Sequence, residues 1–451
     1  MSTSDTSDGG IANPDKLTNV TFKPNALYVA DRQFESMAPP ASTTGVIGWM
    51  RENLFSSWTN SILTILAIVF LGWLLPGIID WAIIKSVWTA DSLSQCREII
   101  TGQFGEGSSG ACWAVIRERF SQFMYGFYPE ELRWRPNVTF LLMFVALVPV
   151  LFPNMRPLVI GMGALVIAKL VYAIYATANG MHSEIFSPTM VVAVAAGLLA
   201  YAFGGAESKG RWMWFTMAYP VIAYFLLFGG LGLEEVGSSK FGGFLLTAVI
   251  GVTGISASLP IGILLALGRQ SKLPALQILC TGFIEFIRGV PLITLLFVAS
   301  TLLNYFLPPG TNFDILLRVI IMATLFASAY MAEVVRGGLA ALPRGQYEAS
   351  ESLGLTYWQG MRLIVLPQAL KISIPGIVNT FIGLFKDTVL VSIIGLFDPL
   401  GLLQPILADS NWNGIVWELY GFVAAVFFIC CFSMSRYSMY LEKRLQAADR
   451  R

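Results

Sequence analysis

Apolar residues in this chain come in long unbroken blocks rather than at the spacing of one helical face, and short polar stretches separate the blocks. A helix needs roughly 17 to 25 such residues to cross a bilayer. Runs of about that length fall near 59–79, 138–153, 157–177, 189–204 and 213–230, the second and fourth being short. A second group falls near 244–267, 289–307, 315–336, 372–395 and 415–433. The pattern predicts an all-α polytopic membrane protein of about ten transmembrane helices, with both ends on one side.

Composition agrees. Of 451 residues 55% are hydrophobic and 13% charged, against about 25% charged in soluble domains. The net charge of +1 gives no global field for nucleic acid, so no nucleic-acid partner is expected. The first apolar run begins near Thr59, too far in for a cleavable signal peptide. Residues 1–58, rich in Ser, Asp, Pro and Thr, read as a disordered cytoplasmic tail.

Lys and Arg in short loops set the orientation. One side gathers Arg51, Arg156, Lys209, Arg211, Arg269, Lys272, Arg336, Arg344, Arg362 and the basic tail from Arg436 to Arg451, while the opposite short loops carry only Lys240. Both termini are therefore expected in the cytoplasm. One segment dissents: the loop about 80–137 falls on the periplasmic side yet holds Lys85, Arg97, Arg117, Arg119, Arg133 and Arg135, nearly balanced by acids. It also holds Cys96 and Cys112, the cysteines outside the spans. An oxidising compartment would permit a bridge, but spacing leaves open whether they pair or stay thiols. Cys280, Cys430 and Cys431 sit in or beside apolar runs and read as small core residues. No pattern suggests a metal site.

The most informative polar interruption is 346–367, QYEASESLGLTYWQGMRLIVLP. Its chemistry predicts two short helices and a hinge. Pro343 suits the first turn of a helix, and Gly354 suits the left-handed position that ends one. Thr356 and Gln359 have the spacing of a capping box. Pro367 is expected to end or kink the second helix.

Glu348, Ala349, Ser350, Gly354, Ile364, Leu366 and Pro367 resemble, in register, the Glu-Ala-Ala…Gly…Ile-x-Leu-Pro loop of ATP-binding-cassette (ABC) importer permeases, with Ser350 in place of the second Ala. Segments 285–292 (EFIRGVPL), 332–338 (AEVVRGG), 367–370 (PQAL) and 385–392 (FKDTVLVS) are similar to the polar-amino-acid branch of that family. The likeness covers roughly 243–435, and the N-terminal spans more weakly resemble the extended permeases of general L-amino-acid (glutamate, glutamine, aspartate) importers. The resemblance implies a type I importer core formed by the C-terminal five spans, in the bacterial inner membrane. It implies a loop (about 340–367) that docks a cytoplasmic ABC ATPase dimer, a second permease subunit of different sequence, and a periplasmic amino-acid-binding protein. ATP and Mg would then sit on the partner ATPase. This chain has no Gly-x-x-x-x-Gly-Lys-Ser/Thr, so it is expected to be a non-catalytic membrane subunit without a cofactor of its own. The expected domains are 1–58, a tail; 59–235, an N-terminal transmembrane extension; and 236–451, the permease core.

Several charges lie inside or beside the apolar runs. Lys386 and Asp387 fall within the ninth run, where a charge costs about 2.5–3.5 kcal/mol, so each should face protein or water. Two roles are open: part of the translocation wall or subunit interface, with Asn379 and Thr388 sharing the polar strip, or a pair holding the bundle together. Arg288 and Pro291 predict a bend, either a moving hinge or an Arg reaching the headgroups. Glu333 and Arg336, three apart, should pair on one helix face near the cytoplasmic gate. His182 reads as a solvated loop residue, and Lys169 has no assigned role. Trp81, Trp212 and Trp214 read as interface anchors. A competing class is an ion-coupled secondary transporter with Lys386 and Asp387 as its coupling site, but no internal repeat supports it. A membrane enzyme lacks a metal cluster or a nucleophile and base.

Overall fold

The structure is a computed structural model that describes residues 45–151, 209–230, 232–302, 305 and 314–449. The runs 157–177 and 189–204, with Lys169 and His182, lie outside the described residues. The chain divides into two compact units, Met1–Ile78 and Ile79–Arg451.

The first unit holds α1 (Gly45–Asn53) and nearly all of α2 (Trp58–Ile79), none of whose side chains is buried. With the turn that follows, α2 makes an apolar span, Trp58–Ile84, as the first run predicts. The Thr64 hydroxyl donates to Leu54 O at 2.8 Å and closes the connection between the two helices.

The second unit begins with the segment 80–137, which folds as a helical lobe. Two amphipathic helices, α3 (Leu93–Phe104) and α4 (Ala114–Tyr125), form it. The Ser92 hydroxyl caps α3 by accepting the Gln95 N–H at 3.3 Å. Cys96 and Cys112 are joined by a disulfide with a Cα–Cα distance of 6.0 Å, and both are buried. α5 (Trp134–Leu151) then pairs with α6 (Lys209–Phe228), where Tyr219 donates to Thr139 O at 3.2 Å.

The remaining helices are α7 (Gly243–Arg269), α8 (Pro274–Gly289), α9 (Leu292–Phe297), α10 (Ile315–Ala340), α11 (Arg344–Ser352), α12 (Tyr357–Gly360), α13 (Leu366–Asp387), α14 (Leu403–Leu407) and α15 (Val416–Asp449). Among the described spans α10 is the most buried, and it packs on α7, α8 and α13. Asp314 caps it, accepting the N–H groups of Leu316 and Leu317 at 2.8 and 3.1 Å. Close approach of α7 to α10 needs Gly262, since a Cβ there would lie 2.6 Å from Met331 Cβ.

The run at 289–307 is not one straight span. α8 and the stretch Leu292–Leu302 meet at 101°. Pro291 supplies the reason: it disfavours helix at the residue before it, and Val290 is extended at φ −110°, ψ 132°. Pro367, by contrast, does not end its helix. A π turn at Met361–Val365 precedes it, and Tyr357–Ile394 runs on as one span. Cys280, Cys430 and Cys431 are free and only partly buried, less enclosed than core residues. Among the described residues there is no strand, only isolated bridges such as Val87 with Cys112.

The lobe is built into the end of the bundle that carries α14. Val87, Ile100, Val115 and Phe123 share one apolar cluster with Leu403, Trp412 and Leu419. Arg119 pairs with Asp409, and Trp412 Nε1 donates to Glu118 at 3.0 Å. Backbones touch directly where α4 meets α7: a Cβ on Gly126 would lie 2.3 Å from Gly242 Cα, and one on Gly243 2.0 Å from Phe123 O. α10 and α13 are antiparallel, so this end lies opposite the loop 346–367.

Candidate coupling loop, charge network and cavity

The loop folds as its local chemistry dictates. Pro343 stands one position before α11, at its N-cap. Gly354 adopts φ +69°, and the capping box between Thr356 and Gln359 is formed, with Thr356 N–H donating to Gln359 Oε1 at 2.9 Å. Ser350 is buried against Gly360, on which a Cβ would come within 2.9 Å of Ser350 Oγ. A small residue at 350 is therefore a packing requirement. Glu348, Ala349, Gly354 and Pro367 are exposed, while Ile364 and Leu366 are half-buried. Gln368 ties the end of the loop to its start, donating to Gln346 Oε1 at 3.0 Å. Leu353 (72% exposed), Trp358 (65%) and Leu363 (65%) leave apolar surface on this polar loop uncovered.

Just inside the loop, Glu333 gathers charge from three helices. It pairs with Arg336 at 2.9 Å, the expected spacing-of-three contact, and with Arg269 of α7. Arg288 of α8 stands 3.8 Å from Glu333 Oε2, and Glu285 binds Arg269 at 2.9 Å. In the sequence Arg269 stood out only as a short-loop cation and Glu285 only as part of the segment 285–292; neither was legible as a member of this network, because their partners are distant in sequence. Arg288 also lies over the Tyr330 ring at 5.5 Å.

A cavity of about 470 Å³ opens between α10 and α13. Asn379, Thr380 and Asp387 line it from α13, and Phe326, Tyr330 and Val334 from α10. The polar strip expected from the sequence is divided by the helix. Asp387 faces the cavity, but Lys386, one residue and about 100° away, is not among its lining and is exposed. Thr388 is 1% exposed and donates to Phe385 O at 2.7 Å. Tyr330 and Thr380 carry no sequence signal that sets them apart from packing residues.

Apolar spans around a cavity, an ion network at one end of it and a folded polar loop beyond that network define a multi-pass membrane transport subunit. Residues 258–447 match the family model described as "Binding-protein-dependent transport system inner membrane component". The chain is 52% identical over 433 residues to the glutamate/glutamine/aspartate/asparagine transport system permease protein BztC of Rhodobacter capsulatus, covering 92% of this chain and 98% of that one. It is 44% identical over 399 residues to the inner membrane amino-acid ABC transporter permease protein YhdY of Escherichia coli, covering 88% and 92%. A shorter relative, the probable glutamine ABC transporter permease protein GlnM of Bacillus subtilis, is 35% identical over 206 residues, 45% of this chain and 92% of its own. The chain belongs to the family of binding-protein-dependent transport system inner membrane components and is a multi-pass inner-membrane permease subunit.

Proposed function

We propose that this chain is the transmembrane permease subunit of an ATP-driven, binding-protein-dependent importer of polar L-amino acids, coupled to a separate ATPase through the loop 346–367. The observation that carries the reading is that loop: a capped, hinged pair of short helices whose Leu353, Trp358 and Leu363 await a partner. A cytoplasmic ABC ATPase dimer covers that face and binds the ATP and Mg. Glu348, Ala349, Ser350 and Gly354 form the docking helix and its hinge, and Ile364, Leu366 and Pro367 join it to α13. ATP binding draws the loop inward and α10 and α13 follow. Arg288, Pro291, Glu333 and Arg336 act as the cytoplasmic gate. Asn379 and Asp387 belong to the translocation path, while Thr388 and Lys386 serve packing and the subunit surface.

On this reading the loop and both termini are cytoplasmic, and the lobe with α14 faces the periplasm, where a disulfide persists. A periplasmic amino-acid-binding protein delivers substrate to that end, a second permease chain of different sequence completes the path, and lipid surrounds the rest. The domain plan stays as 1–58, 59–235 and 236–451. The names of the relatives in Rhodobacter and Escherichia support the substrate class. Reconstitution tests it: uptake of glutamine or aspartate into vesicles should require ATP on the loop side and a binding protein on the other. Uptake driven by an ion gradient without ATP would sink it.

A further inference from the structure

Glu333 stands among three guanidinium groups that do not hold it equally. Arg269 takes Oε1 and is itself balanced by Glu285 at 2.9 Å, and Arg336 takes Oε2 at 2.9 Å. Arg288 reaches the same Oε2 only at 3.8 Å. Both carboxylate oxygens are engaged before Arg288 is counted, and the cluster sets three cations against two acids. Arg288 is thus the least committed of the three. Its side chain is 34% exposed and lies over the ring of Tyr330, a wall of the cavity.

The cavity has its acid at the other end. Val334 meets Gly376 near the coupling-loop end, so antiparallel packing puts Tyr330 level with Thr380, seven residues from Asp387. At 1.5 Å per residue that is about 10 Å, more than one small amino acid bridges at once. Asp387 is the only carboxylate in the described lining and is suited to an ammonium group, but the lining offers no cation to a carboxylate. A guanidinium fork is the side chain best matched to that group.

We propose that Arg288 receives the substrate's α-carboxylate in the inner half of the path, exchanging it for Glu333 as the amino acid leaves Asp387 for the coupling-loop end. The ligand class is a zwitterion with a free α-carboxylate. This rests on the amino-acid reading above.

The test is equilibrium binding to the purified transporter complex, without binding protein. The two probes are L-glutamine and 4-aminobutanamide, its decarboxylated analogue. Native complex should prefer glutamine. Arg288→Gln should weaken glutamine by about tenfold or more, the scale of one charge-assisted contact, and leave the analogue unchanged. Arg288→Lys should keep part of the preference. Glu285→Gln, which alters the same network without removing Arg288, should keep all of it. The proposal is overturned if native complex shows no preference, or if Arg288→Gln binds glutamine as the native does or weakens both probes equally. Failure of native vesicles to take up any amino acid would instead remove the functional reading itself.

Discussion

The backbone amide of Cys112 donates to the Glu418 carboxylate at 3.0 Å, joining the lobe to the first turn of α15 across 306 positions of sequence. Glu418 is 7% exposed, and the disulfide beside it is fully enclosed. The N-terminal lobe is therefore fastened into the permease core. Glu418→Ala leaves a buried N–H without its partner and should cost about 1–3 kcal/mol. Replacing Cys96 and Cys112 by Ala opens a loop of 16 residues and should cost about 2–4 kcal/mol. Both should lower the thermal midpoint of the purified complex, and a native midpoint in the double-Ala variant would show that the lobe does not depend on its staple.

The loop 346–367 gives a second prediction. Gly354 has φ +69° and open space around it, so a side chain there meets backbone strain but no clash. Gly354→Ala should cost about 1–2 kcal/mol locally and leave the bundle folded. Ser350→Leu, facing Gly360 at close contact, should separate α11 from α12. If the loop transmits the stroke of the ATPase, both variants keep hydrolysis while uptake falls, and Ser350→Leu falls further. Equal, native uptake in the two would detach the loop from coupling.

What the sequence made legible was what short range determines. The spans Trp58–Ile84, Gly243–Arg269, Ile315–Ala340, Tyr357–Ile394 and Val416–Leu445 followed from unbroken apolar runs, the φ of Gly354 from its place between two helical patterns, and the 101° bend from Pro291 acting on Val290. Contacts between distant segments were not legible. Nothing local in 80–137 says that its helices pack on Leu403 and Trp412, and the pairing of Cys96 with Cys112 needed the turn that brings α3 to the Val87 bridge. Pro367, expected to end or kink its helix, does not end it; a π turn at Met361–Val365 precedes it instead.

Asp398 predicts a dependence on pH. Its side chain is fully buried between α13 and α14, where it accepts the N–H groups of Leu400 and Gly401 at 3.1 and 2.9 Å. Burial pushes its carboxyl from 3.8 up to about 6, against the opposing pull of those hydrogen bonds. The folded protein thus holds this proton more tightly than the unfolded chain does. The resulting stability is fully present below pH 3.8 and is lost as pH rises through about 6, a span worth roughly 3 kcal/mol. Thermal unfolding of the native complex should show this decline between about pH 4 and 6, and Asp398→Asn should remove it. Parallel curves for the two proteins would contradict the assignment.

Asp387 and Lys386 give the sharpest contrast, since they are neighbours in sequence with different surroundings. Asp387 lines the cavity between α10 and α13; Lys386 is exposed and outside that lining. If the cavity is the translocation path, Asp387→Asn removes the one carboxylate that meets a substrate ammonium there, and a charge-assisted contact of this kind is worth about 1.5–3 kcal/mol. Uptake by reconstituted complex should then fall by about tenfold or more, whereas Lys386→Gln should change it by less than about twofold. A bundle-holding ion pair predicts something else: the two substitutions would cost similar stability, and the double variant would recover part of it. Measuring uptake and the thermal midpoint for both single variants and the double separates the two roles. Equal losses with recovery in the double would return Asp387 to a structural part and leave the cavity without its ammonium site.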